Sequence, residues 1–150
     1  MKAAAKELVI DASIAVAWCF DDEKTPYTEL VLNRMAEGVE ASVPAVWSFE
    51  TANALLMAER RRRLTTSQSS FFLDQLSNFN IRIDNAIAPH IFGAVMSEAR
   101  RWHLTVYDAS YLELALRRNL PLATLDETMK KAAKILGISM AFGSAGKSLS

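Results

Sequence analysis

Four acidic residues stand alone inside apolar sequence, and they constrain what this chain can become more than any other feature. Asp11 is the only charge between Leu8 and Phe20. Glu50 is the only one between Ala45 and Ala58, and Asp108 the only one between Leu104 and Leu112. Asp126 closes the uncharged run from Asn119 to Leu125. Acids are rarely buried unless they are paired, hydrogen-bonded or bound to a cation. Any fold for this chain must therefore provide a reason for each of the four.

The chain between them alternates short β-prone runs with longer helical patterns. Leu8–Ile10, Ala41–Val43, Ile81–Ile83 and Leu122–Thr124 are strand candidates, and Ile138–Met140 is a possible last strand. Helices are expected over Ser13–Phe20, Thr25–Glu37, Ala45–Arg63, from Thr65 or Thr66 to Asn78, and over Pro89–Trp102, Val106–Arg118 and Asp126–Leu136. Gly38 and Gly137 serve as stops. This order predicts an α/β fold in three layers: a short parallel sheet of four to five strands, flanked by about seven helices. The 150 residues fit one domain better than two. We expect a single domain over residues 1–142 and a flexible tail over 143–150. In such sheets, ligands bind beyond the carboxyl ends of the strands, which is where the isolated acids fall.

Composition excludes several classes. With 51% hydrophobic and 23% charged residues, the chain is neither disordered nor fibrous. Its longest uncharged stretch, Asn85–Ser97, has 13 residues, against the roughly 20 a membrane span needs. Asp11 interrupts the first apolar run, so no secretory signal is expected. A lone Cys19 cannot form an internal disulfide and fits a reducing, cytoplasmic setting.

Capping explains part of the acid pattern. Asp11 can cap the helix that follows it. Thr105 with Asp108, and Thr124 with Glu127, resemble capping boxes. Glu50 resists this explanation because it lies within a helix. Its helical neighbours Val46, Asn53 and Met57, widened by Phe49 and Leu56, predict an inward face carrying Glu50 and Asn53 as polar members. If all four acids meet at the sheet edge, their repulsion favours a divalent cation. An all-oxygen donor set without His or Cys suits Mg²⁺ or Mn²⁺. Such a site can activate water against a phosphodiester. Lys+Arg and Asp+Glu both number 17, so setting four acids aside leaves the remainder at +4. The run Arg60-Arg61-Arg62-Arg63 is the most concentrated basic feature and a candidate RNA-phosphate contact.

Taken together, these residues carry a resemblance. The order Asp11, Glu50, Asp108, Asp126 resembles the acidic quartet of the PIN domain. The flanking sequences Asp11-Ala12-Ser13, Pro44–Glu50 with Asn53, Leu104–Tyr111 and Leu122–Asp126 are similar to its four motifs. Size and motif style look most like VapC, the toxin of bacterial type II toxin–antitoxin pairs. The resemblance implies a metal-dependent endoribonuclease cutting transfer or ribosomal RNA in the cytoplasm, homodimeric and neutralised by a cognate antitoxin. It implies metal-ligand and catalytic roles for Asp11, Glu50, Asp108 and Asp126, with Ser13, Asn53, Thr105 and Thr124 supporting them.

Two other readings remain open. An aspartyl-phosphate phosphatase also uses an acid after its first strand, but usually carries a second Asp where this chain has Ser13. A catalytically inactive PIN-like module would bind RNA or protein only. His90, His103 and Cys19 read as structural. Trp18, Trp47, Phe49, Phe71 and Phe72 read as core or dimer interface rather than base-stacking platforms.

Overall fold

The structure, a computed structural model, describes residues 6–143. The expected tail lies outside the described residues except for Gly143. Four parallel strands form the sheet: β1 (Glu7–Ile10), β2 (Glu40–Pro44), β3 (Ile81–Asp84) and β4 (Leu122–Ala123), in the order β3-β2-β1-β4. Val9 pairs with Ser42 on one side and Leu122 on the other. The chain builds outward from β1 through β2 to β3, then returns to place β4 on the opposite flank. That reversal creates a switch point at the carboxyl ends of β1 and β4. Leu8, Val9 and Ile10 are all fully buried, as expected for consecutive residues of a strand covered on both faces.

The expected last strand is corrected. Ile138–Met140 contributes only an isolated bridge from Met140 to Leu122. The Leu122 amide donates to the Ser139 carbonyl, and the Ala141 amide to the Leu122 carbonyl. With β4 just two residues long, the sheet edge is too short to carry a regular ladder.

Seven helical rods surround the sheet among the described residues: α1 (Ala12–Cys19), α2 (Pro26–Ala36), α3 (Val46–Arg60), α4 (Thr66–Ser77), a composite rod, α7 (Val106–Arg118) and α8 (Glu127–Leu136). The composite rod joins α5 (Ala88–His90), a π-helical turn (Ile91–Val95) and α6 (Met96–Trp102). Local chemistry sets most boundaries. Thr25 with Thr28 and Thr65 with Gln68 form capping boxes on α2 and α4. Gly38 and Gly137, at φ +101° and +79°, stop α2 and α8 in a conformation that favours glycine. Trp18 fastens α1 to α2 by donating its indole N–H to the Thr28 carbonyl at 2.9 Å.

The face predicted for α3 is also corrected. Trp47, Thr51, Leu55 and Ala58 are the buried positions, whereas Phe49, Asn53 and Leu56 are exposed. The stripe is rotated by about one residue, or roughly 100°. Trp47 and Leu55 fill the core, and the rotation leaves Glu50 at the helix flank. No helix among the described residues is long and apolar enough to cross a membrane.

Candidate functional site

The switch point gathers the isolated acids. Asp11 is the first residue after β1 and caps α1 through the Ser13 amide. Asp126 lies beyond β4 and caps α8, its carboxylate accepting from the Met129 amide at 2.9 Å. Asp108 sits in the first turn of α7, and Glu50 in the first half of α3. Two of them therefore do cap helices, Asp11 as local sequence suggested and Asp126 where the sequence pointed to Thr124. Capping leaves the burial of Asp11 and the position of Glu50 unexplained.

Asp11 is 6% exposed and is held by three protein donors. The Thr124 hydroxyl donates to its Oδ2 at 2.6 Å, the Ser13 hydroxyl to the same oxygen at 3.1 Å, and the Ser13 amide to Oδ1 at 3.3 Å. The Ser13 hydroxyl also accepts from the Leu125 amide at 3.2 Å, and the Thr124 hydroxyl from the Asp126 amide at 3.0 Å. Thr124 thus cross-links the ends of β1 and β4. Its expected role as a cap for α8 is corrected, because Asp126 performs that role. Thr105 does cap α7, accepting from the Asp108 amide at 3.0 Å. Asn53 is exposed and borders the recess beside Glu50.

Burial raises the carboxyl pKa of Asp11, and the Asp126 charge adds to the shift, against the hydroxyls that stabilise the anion. Burial also raises Glu50, with the Asp11 and Asp108 charges adding to it. Asp108 is raised by burial and then by Asp11 and Asp126. The charge of Asp11 thus acts on both Glu50 and Asp108, and that of Asp126 on both Asp11 and Asp108. Among the described residues, no three His, Cys, Asp or Glu side chains are arranged as they stand to hold one metal ion.

Two contributors lie beyond the sequence expectations. Tyr111 is fully buried one turn after Asp108, and its hydroxyl donates to Glu50 Oε1 at 2.6 Å. It ties α7 to α3 and fixes the glutamate. Glu113, also buried, accepts from Arg117 Nε at 3.0 Å and contacts His90 Nε2 at 2.9 Å. Arg117 then reaches Asp84 at 2.8 Å. The signal for Glu113 was the one used for the quartet, an isolated acid in an apolar run, and it lies one residue past the window that held Asp108.

The basic run divides. Arg63 pairs with Asp22 at 3.1 Å and Glu23 at 3.2 Å, and its guanidinium lies 4.2 Å from the Phe20 ring centre. Arg63 is thus the one member of the run with ion-pair partners among the described residues. Arg60, Arg61 and Arg62 are exposed. They lie at the far end of α3, about 15 Å along the axis from Glu50. Arg63→Ala should cost about 1 kcal/mol of stability, since its ion pairs are part-exposed. Urea unfolding checks this; a loss of RNA affinity with unchanged stability would reverse the assignment.

Trp18, Trp47 and Phe72 are buried, as expected for core residues, but Phe49 is 78% exposed beside the acids and Phe71 is also exposed. The rotation of α3 puts Phe49 outside the core.

The PIN domain family profile matches residues 8–135. Ribonuclease VapC3 of Pyrobaculum aerophilum is 29% identical over 127 residues, covering 82% of this chain and 92% of that protein. The crystal structure of PAE2754 from Pyrobaculum aerophilum aligns with TM-score 0.64 at 20% identity, covering 89% of this chain and 96% of that one. A toxin–antitoxin complex from Klebsiella pneumoniae aligns at 0.60 with 18% identity, covering 91% and 99%. VapBC2 from Rickettsia felis, bound to a DNA fragment from their promoter, aligns at 0.57 with 14% identity, covering 89% and 96%.

Proposed function

The chain belongs to the PIN domain family, and from that premise we propose that it is a divalent-metal-dependent endoribonuclease. In this reading it is the VapC-type toxin of a toxin–antitoxin pair and hydrolyses phosphodiester bonds of transfer or ribosomal RNA. The observation that carries the reading is the convergence at the sheet's switch point: Thr124 joins Asp11 to the backbone of Asp126, and Tyr111, one turn after Asp108, binds Glu50. The similarity to Ribonuclease VapC3 supports the RNA chemistry. The likeness to a toxin–antitoxin complex supports an antitoxin partner. Exposed Phe71 and Phe92 are consistent with a homodimer, and the free Cys19 with the cytoplasm. One domain, residues 1–142, carries the activity.

The donor set fits Mg²⁺ or Mn²⁺, since all four side chains offer only carboxylate oxygens. When bound, such an ion supplies Lewis acidity for the phosphodiester and its attacking water. The residues of the chain prepare that chemistry. Thr124 and Ser13 donate hydrogen bonds to the Asp11 carboxylate, which offset part of the cost of burying its charge. Tyr111 binds one oxygen of Glu50 and leaves the other free of protein hydrogen bonds among the described residues. Asp108 and Asp126 lie at helix N-termini, where backbone dipoles favour negative charge. The Glu50 oxygen left free by Tyr111 is available to a cation or to a water molecule. The exposure of Arg60, Arg61 and Arg62 is consistent with contacts to the flanking phosphates of a longer RNA.

Purified protein incubated with a total transfer-RNA pool tests the reading. We expect discrete fragments in Mg²⁺ or Mn²⁺ and none in EDTA. Cleavage that persists undiminished in EDTA would overturn the metal dependence.

A further inference from the structure

Beside the acids lies a second recess, of about 270 Å³. Val46, Ile91, Val95 and Val106 form its apolar walls, and Asp84, Glu113 and Arg117 line it with charge. Phe49 and Tyr107 belong to this recess and also to the neighbouring one that contains Glu50 and Asn53. These two rings are 78% and 61% exposed. A pair of aromatic faces therefore stands between the acids and an apolar slot.

We propose that this recess takes one nucleobase of a single-stranded RNA and sets the sequence preference of cleavage, a proposal that rests on the ribonuclease reading. Single-stranded bases are recognised by stacking on aromatic side chains and by hydrogen bonds to their edges. Phe49 and Tyr107 supply the faces. Glu113 supplies a buried acceptor whose position is fixed by Arg117, and Arg117 supplies donors fixed by Asp84. The volume falls near the lower end of small-molecule sites, about 300–1,000 Å³, which suits one planar heterocycle. The wall contains the π-helical turn Ile91–Val95, an irregularity frequently found at functional sites. An apolar side chain from a protein partner would fill the slot but give nothing to the polar groups it covered. A base brings both an apolar face and a polar edge.

The test is RNA binding in EDTA, which needs no catalysis. A short oligouridylate and its derivatives with a single central adenine, cytosine or guanine, four RNAs in all, are compared by fluorescence anisotropy. Wild type should favour one base by about tenfold, the scale of one edge hydrogen bond that a wrong base leaves unmade. Ala86→Trp, which fills the slot from the loop after β3, should bring the four within about twofold. Tyr107→Ala, at an exposed rim position, provides the same test if the larger substitution disturbs folding. Equal binding of all four RNAs by wild type would overturn the proposal, as would an unchanged preference in a folded Ala86→Trp. Loss of self-association or of antitoxin binding with the base preference intact would assign the slot to a protein partner. A preference in binding without cleavage in Mg²⁺ would leave the recess standing and remove the nuclease reading; cleavage without preference would do the reverse.

Discussion

Asp108→Asn is expected to lower RNA cleavage by at least about 10³-fold, because a divalent site supplies several kcal/mol of transition-state stabilisation. The same substitution should raise thermal stability in EDTA. Burial lifts the carboxyl groups of Asp11, Glu50 and Asp108 above their ordinary values of 3.8, 4.5 and 3.8. A carboxyl whose folded pKa exceeds its unfolded one costs stability above the folded value. The cost is relieved as pH falls through that value, and fully so below the ordinary one. Acidification from neutral pH should therefore stabilise the wild type in EDTA until groups of opposite sign respond. Glu7, stabilised as an anion by Ser42 and Arg118 despite its burial, is one such group. Asparagine at 108 removes one charge from the cluster, so the variant should melt higher in EDTA, with a weaker pH dependence. Melting curves and initial rates measured on the same preparations check both halves. A variant less stable than wild type in EDTA, or one that cleaves at the wild-type rate, would contradict this reading.

Thr124→Val should have the next largest effect. Valine keeps the shape and removes the hydroxyl that donates to Asp11 and accepts from the Asp126 amide. Thr124 is fully buried, so no water replaces the lost bond at the surface. The expected cost is about 2 kcal/mol of stability and about 10–100-fold in cleavage. Thr124→Ser should recover most of both, because the hydroxyl returns. Urea unfolding and kcat/KM together separate a positioning role from general destabilisation: a Val variant that loses stability but keeps kcat/KM would make Thr124 a structural residue alone.

Much of this architecture is legible from residue order. Strand β1 and its acid are visible because Leu8-Val9-Ile10 is wholly apolar and Asp11 ends it. Thr65, Gly38 and Gly137 mark helix boundaries through local hydrogen bonds and backbone freedom, which depend on few neighbours. What fails to show in the sequence depends on distant partners. The face of α3 was misread because Phe49 and Leu56 count as apolar in any periodicity, yet Trp47 and Leu55 win the core and turn the other two outward. Ile138–Met140 has strand composition but meets only a two-residue β4. The π-helical turn at Ile91–Val95 has no local signature. Tyr111 was visible as part of a motif, but its bond to Glu50 spans 61 residues, and no spacing rule predicts that contact. Thr124 was placed near the site by its motif, while its actual work, bridging two strand ends, required the pairing of β1 with β4.

The most direct measurement is a Mn²⁺ titration by calorimetry on the wild type and on Asp11→Asn, Glu50→Gln and Asp108→Asn, each shown to be folded. The acids come from separate parts of the chain, so a single shared site should weaken in every variant and be saturable in the wild type. Absence of Mn²⁺ binding by the wild type, or undiminished binding by all three variants, would contradict the assignment of these carboxylates to one metal centre.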